Sequence, residues 1–140
     1  MSENKLRRVC VMSIHPKWAN EIYQGVKRWE FRRKAPPPMV NGQITQILLY
    51  ETAPVQKITG TFMAPFAITG EVEWLRLAIE RHDFLRGPGY GSLTHEDLIA
   101  YAQGKPITAM SIQAAIRWEE PIDIKTARPP QSWMWCDLPF

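Results

Sequence analysis

The sequence predicts a small domain of the α+β class, in which short strands form a sheet or barrel and three helices are inserted among them. Three observations lead there. Apolar, β-branched segments of strand length recur along the chain, apolar residues at three- and four-residue spacing mark helices between them, and no segment repeats another. With 140 residues the chain is long enough for one real core and short for two, so a single domain over 1–140 is expected.

The elements follow in order. Arg7 to Ile14 is apolar and β-branched and stops before Pro16, as a largely buried first strand would. Pro16 suits the first position of a helix, Trp18, Ala19, Ile22 and Tyr23 recur on one face, and Gly25 is a natural stop. Arg28 to Arg33 alternates charge and aromatic with period two. Trp29 and Phe31 are therefore expected inward, with Arg28, Glu30 and Arg32 on the other face, before Pro36-Pro37-Pro38 ends the strand. Ile47–Tyr50 and Ile58–Phe62 read as neighbouring strands, the second with a bulge at Gly60. Glu71–His82 fits a helix, Gly87–Gly91 a turn-rich loop, and Thr94 with Asp97 a capping box opening a helix that ends at Gly104. Ile107–Trp118 returns to strand character, and a Pro-rich tail runs from Pro129 to Phe140.

Composition narrows the function classes. Hydrophobic residues at 45% and charged residues at 22% suit a globular chain and argue against disorder. The charged start, Met1 to Arg8, leads into too short an apolar run for a membrane span, so a cytoplasmic protein without a membrane partner is expected. Cys10 and Cys136 are too few for a disulfide scaffold and lack the spacing of a zinc site. His82 and His95 share no ligand-like spacing with His15, so neither a metal nor a cofactor is expected. Residues 1–34 carry nine Lys and Arg against three Glu, whereas the rest is net acidic, which suggests a basic face for an anion such as a phosphate backbone. Six Trp add planar surfaces that either fill the core or stack on bases.

The common catalytic signatures are absent: no GxSxG, P-loop, HExxH, CxxC or GxGxxG occurs. What remains is Gly25-Val26-Lys27-Arg28-Trp29-Glu30-Phe31-Arg32. Glu30 and Arg32 project to one side of a strand, and Lys27 leaves the preceding turn close enough to join them. Two readings stand, a solvated face with weak ion pairs or a patch that binds. His15-Pro16-Lys17, at a strand-to-helix junction, either receives an anion on the helix's first N–H groups or only caps the helix.

These segments resemble a known family. Ser13 to Ala19 followed by Gly25, Lys27, Glu30 and Arg32 is similar to the opening of the ASCH family, whose pattern is G-x-K-x-x-E-x-R. Leu49 to Val55 with Ile58 and Gly60 resembles its "PVxxIxG" stretch, while Arg117–Ile122 and Pro129–Trp133 resemble its closing strand and "PPQS" tail. The segment from about Pro65 to Tyr90 departs from the family's usual lengths. The resemblance implies a PUA-like fold, a small, mostly antiparallel β-barrel with the first helix between its first two strands. It further implies a cleft that takes RNA or a modified nucleotide, lined by Lys27, Glu30 and Arg32 at Gly25, with Lys17 at its edge and Trp18, Trp29 or Tyr50 as stacking surfaces.

Some members of the family are enzymes. One branch hydrolyses N4-acetylcytidine with a lysine at the position of Lys27, but has threonine where this chain has Glu30, which suits a base or proton shuttle better than a nucleophile. A ribonuclease would use Lys27 or Arg32 on the phosphate and Glu30 as proton acceptor. The third reading is a protein-interaction module anchored by an exposed tail carrying Trp133 and Trp135.

Overall fold

The structure, a computed structural model, describes residues 8–40, 42–82, 89–124 and 128–137. The charged start, the first half of the Gly87–Gly91 loop and the last three residues of the tail lie outside the described residues.

Strand β1 (Arg8–Ile14) is apolar on both faces because both are covered. It pairs parallel with β5 (Gln46–Glu51), Val11 opposite Leu48, and a parallel partner needs a crossover, which the intervening chain supplies. Helix α1 (Pro16–Tyr23) begins that crossover. Proline occupies its first turn, Gln24 caps its end, and Gly25 follows at a φ of 81°, a conformation glycine adopts at little cost. Ala19 and Ile22 are its buried face and join Cys10, Met12, Ile47, Leu49 and Phe62 in the first core.

After α1 come β2 (Trp29–Arg32) and a two-stranded ribbon, β3 (Met39–Val40) with β4 (Gln43–Ile44). β6 (Lys57–Met63) pairs antiparallel with β5, and the register shifts beside Gly60, where a bulge is expected. β7 (Ala67–Gly70) leads into α2 (Val72–His82), and α3 (His95–Ala102) opens with the expected capping box, Thr94 Oγ1 accepting from the Asp97 N–H at 3.0 Å and Asp97 from the Thr94 N–H at 3.0 Å.

Ile107 to Trp118 is two strands instead of one. β8 (Ile107–Ser111) pairs with β2 and β7, whereas β9 (Gln113–Ile122) pairs with β6. The break falls at Ile112, whose N–H donates to Arg28 O at 2.9 Å, with Ala114 at a φ of 53° just beyond. One continuous run thereby serves two sheets. The last strand, β10 (Trp133–Asp137), pairs antiparallel with β1 and completes the five-stranded order β10-β1-β5-β6-β9 beside the three-stranded order β2-β8-β7.

The mixed α+β class and mostly antiparallel pairing stand, with three helices among the described residues. A barrel is not what the described strands form: they make separate sheets with no closed ring. The tail is also corrected. Trp133 and Trp135 are half-buried against the first core, edge to face with centroids 6.0 Å apart, and Trp133 Nε1–H donates to Lys34 O at 3.0 Å. Residues two apart on a strand share a face, so pairing β10 with β1 turns both indoles onto the molecule and leaves no free anchor. No helix among the described residues is long and apolar enough to cross a membrane.

Between the sheets the core divides. The second cluster lies between the three-stranded sheet and helices α2 and α3, built from Trp29, Phe31, Leu75, Ile79, Leu98, Ile107 and Ala109. The cleft described next lies where the end of β1 and α1 face β2 and α3.

Candidate functional site

Pro16 ends β1 and starts α1, so the backbone turns sharply at His15. That residue sits at the N-cap position with extended backbone (φ −66°, ψ 143°), and its side chain makes no capping bond. Its Nδ1 lies instead 3.3 Å from Thr52 Oγ1, just beyond the end of β5. One turn on, the Trp18 indole carries Lys17 Nζ 4.8 Å from its ring centre and Lys27 Nζ at 5.7 Å.

Lys27, Glu30 and Arg32 do meet, the first two out of water and Arg32 half-buried at the edge of the cleft. Lys27 is 2% exposed and Glu30 6%. Lys27 Nζ donates to Trp29 O at 2.7 Å and lies 3.4 Å from Glu30 Oε1; Arg32 Nε and Nη2 donate to Glu30 Oε2 at 2.9 and 2.7 Å. The solvated-face reading therefore does not hold, because α1, β1 and the turn before β10 cover what alternation alone would leave open. Burial by itself would push the Glu30 carboxyl upward; the Arg32 charge, then that of Lys27, and their hydrogen bonds outweigh it and hold the group below its ordinary value.

Arg32 also ties three segments together. Its Nη2 donates to Ser13 O at 2.8 Å and its Nη1 to Ser132 Oγ at 3.2 Å, while Ser13 N–H donates to Ser132 O at 2.8 Å. The guanidinium thus joins β1, β2 and the turn before β10.

Above this group opens a cleft of about 470 Å³. Its chemistry is carried by Trp18, His15, Thr52, Tyr101 and Gln131 around Lys27, Glu30 and Arg32, with Leu93 and Leu98 as apolar floor. Such a volume suits a nucleotide-sized ligand. Tyr101 is held from behind, its hydroxyl accepting from the Arg33 N–H at 3.1 Å and its ring 4.6 Å from the Arg33 guanidinium.

Of the residues singled out from sequence, Trp18, Lys27, Glu30 and Arg32 line this cleft. Lys17 reaches it only through Trp18. Gly25 lines a separate hollow of about 670 Å³ with Arg28, Arg76 and His95 on the other side of the turn. Trp29 is 2% exposed in the second core, edge-on to His82 with centroids 5.8 Å apart, and Tyr50 is 5% exposed among Val9, Leu48 and Ile58. Neither offers a face to the cleft. Thr52 and Gln131 fall within segments that carry the family resemblance, whereas Tyr101 and Leu98 come from α3 on no local signal. Among the described residues no group of three or more His, Cys, Asp or Glu side chains could hold a metal ion.

A mixed α+β domain with one ion-paired, aromatic-walled cleft between its sheets is the class these observations define. Proteins of known structure share its fold. Crystal structures of ZmASCH from Zymomonas mobilis match with a TM-score of 0.70 at 26% identity, over 91% of this chain and 86% of that one. Those of its serine-to-alanine mutant match with 0.74 at 25% identity, over 94% and 89%. A curated protein from Zymomonas mobilis subsp. mobilis, named ASCH domain-containing ribonuclease, is 32% identical over 84 residues, which span 60% of this chain and 55% of that protein. No family model matches the chain. In sequence and in fold the chain is thus similar to ASCH-domain proteins, and it spans about half the length of the curated relative it matches.

Proposed function

We propose that this chain is an ASCH domain that binds single-stranded RNA in the cleft built on Lys27, Glu30 and Arg32. In this reading a base stacks on Trp18 opposite Tyr101, and the surplus positive charge of the ion-paired group faces the phosphate. The observation that carries it is the joining of an aromatic wall to two cations and one anion in a single open cleft of nucleotide size. The name of the curated relative, a ribonuclease, supports RNA as the ligand class and favours cleavage as a second step in the same cleft. The domain acts in this reading as a single unit in the cytoplasm, and its PUA-like character lies in how helix α1 is placed between β1 and β2.

The test is a fluorescence anisotropy titration with a short labelled RNA at several salt concentrations. Affinity is expected to fall with salt, and Trp18→Ala to weaken binding roughly 5- to 150-fold, the worth of one stacked base. Salt-independent binding, or full affinity in Trp18→Ala, removes the cleft from the function.

A further inference from the structure

If the cleft performs proton transfer, most of its titratable side chains are already committed. Both carboxylate oxygens of Glu30 are engaged, Oε1 by Lys27 and Oε2 by Arg32, and the group is buried. Lys27 Nζ is spent on Glu30 and on Trp29 O, and the Tyr101 hydroxyl, which accepts from the Arg33 N–H, is a phenol that keeps its own proton and so offers a donor, not a base. A base whose lone pairs are filled by fixed cations takes no proton from a substrate without first breaking the group that shapes the cleft.

His15 differs from all of these. It is solvent-exposed, lines the cleft, and is oriented by a neighbour, since Nδ1 faces Thr52 Oγ1 at 3.3 Å. The Thr52 hydroxyl orients the ring, and in the tautomer whose Nδ1–H donates to it, Nε2 carries the lone pair of a base. Its backbone is fixed by the strand-to-helix junction, because Pro16 locks the first helical position and the Ala19 N–H donates to His15 O at 3.1 Å.

We propose that His15 is the proton-transfer residue of this cleft and that the chain cleaves RNA by attack of the substrate's own 2′-hydroxyl. The proposal rests on the RNA reading above. His15 Nε2 takes the 2′-hydroxyl proton as the 2′-oxygen bonds to phosphorus. The bond from phosphorus to the 5′-oxygen breaks, and that oxygen takes a proton from water, whose hydroxide is neutralised by the proton held on His15. The products are a 2′,3′-cyclic phosphate and a free 5′-hydroxyl, with no co-reactant consumed. The ion group at the base of the cleft, two cations against one carboxylate, carries a net positive charge that favours the charge growing on the phosphoryl oxygens, with Arg32 its more open member.

The experiment follows a short RNA by mass spectrometry with wild type, His15→Asn and His15→Ala, each also titrated for RNA binding by anisotropy and melted. Asparagine is a good N-cap residue, so the helix start is kept. Expected are cyclic-phosphate ends, no cleavage of the all-2′-deoxy oligomer, and at least 100-fold slower cleavage by His15→Asn with Kd and Tm unchanged. Added imidazole is expected to restore part of the rate to His15→Ala. Wild-type rate in His15→Asn, ends bearing 5′-phosphate and 3′-hydroxyl, or a wild type that binds RNA and leaves it whole overturns the role of His15 while sparing the binding reading. A wild type that does not bind RNA overturns both.

Discussion

Replacing Glu30 by glutamine is expected to remove about 3–5 kcal/mol of stability, roughly 10 °C or more in Tm, although the side chain changes by a single atom. In the native protein one carboxylate stands between two cations that water barely reaches, Lys27 at 3.4 Å and Arg32 at 2.7 Å. An amide keeps the volume and removes the charge, leaving a buried Lys27 and a half-buried Arg32 repelling each other, with no anion to offset their desolvation. The exposed Lys57–Asp123 pair is the control: Asp123 is 80% exposed there, so Asp123→Asn should leave the melting curve where it is. The same group sets a pH dependence. Because the folded carboxyl sits below its ordinary value of 4.5, its contribution is complete above that value and is lost as pH falls below it through the folded one. Wild type should therefore lose stability on acidification below about pH 4.5 more steeply than Glu30→Gln, which has no proton to take up there. Equal acid slopes, or a Glu30→Gln variant that melts with wild type, would mean that the ion group is open to water in solution.

How much of this was readable in advance depends on the range over which each cause acts. Helix α1 was legible because its signals are local, Pro16 at one end and Gly25 at the other, and α3 was legible through Thr94 and Asp97. The change of sheet at Ile112 was not, since Ser111-Ile112-Gln113 holds neither proline nor glycine and the turn is imposed by the Arg28 carbonyl from a distant segment. β7 was missed for being four residues long, with little burial to pattern it. In the site, spacing placed Glu30 and Arg32 on one face and Lys27 beside them. It was silent on what covers that face, because the cover is tertiary: Ser13 from β1 and Ser132 from the far end of the chain. The same limit explains the aromatics. Trp18, Trp29 and Tyr50 look alike as planar residues near a charged segment, and only packing decides that the first reaches the cleft while the other two fill cores.

Gly60→Ala is expected to cost about 3 kcal/mol, the upper end of ordinary overpacking, and to weaken the cleft as well. A methyl group at this position would overlap the Ile116 carbonyl oxygen of β9 and lie 2.6 Å from the Tyr23 hydroxyl at the end of α1. Two backbones and a helix therefore converge on a residue with no side chain, at the point where the register of β6 shifts against both neighbours. The Tyr23 hydroxyl lies 2.9 Å from Thr59 Oγ1, and its ring receives the Arg117 guanidinium 4.3 Å from its centre, so this corner fixes where α1 ends. Its other end carries His15 and Trp18, so a displaced helix moves a stacking surface away from Lys27 and Arg32. The double variant Gly60→Ala with Tyr23→Ala separates the two contacts. If the clash with the β9 backbone dominates, removing the tyrosine restores neither Tm nor RNA affinity; if α1 alone is pushed aside, it restores Tm. A Gly60→Ala variant with wild-type Tm and affinity would show that β9 moves away freely, and that the close approach of helix and sheet at Gly60 has no part in holding the cleft.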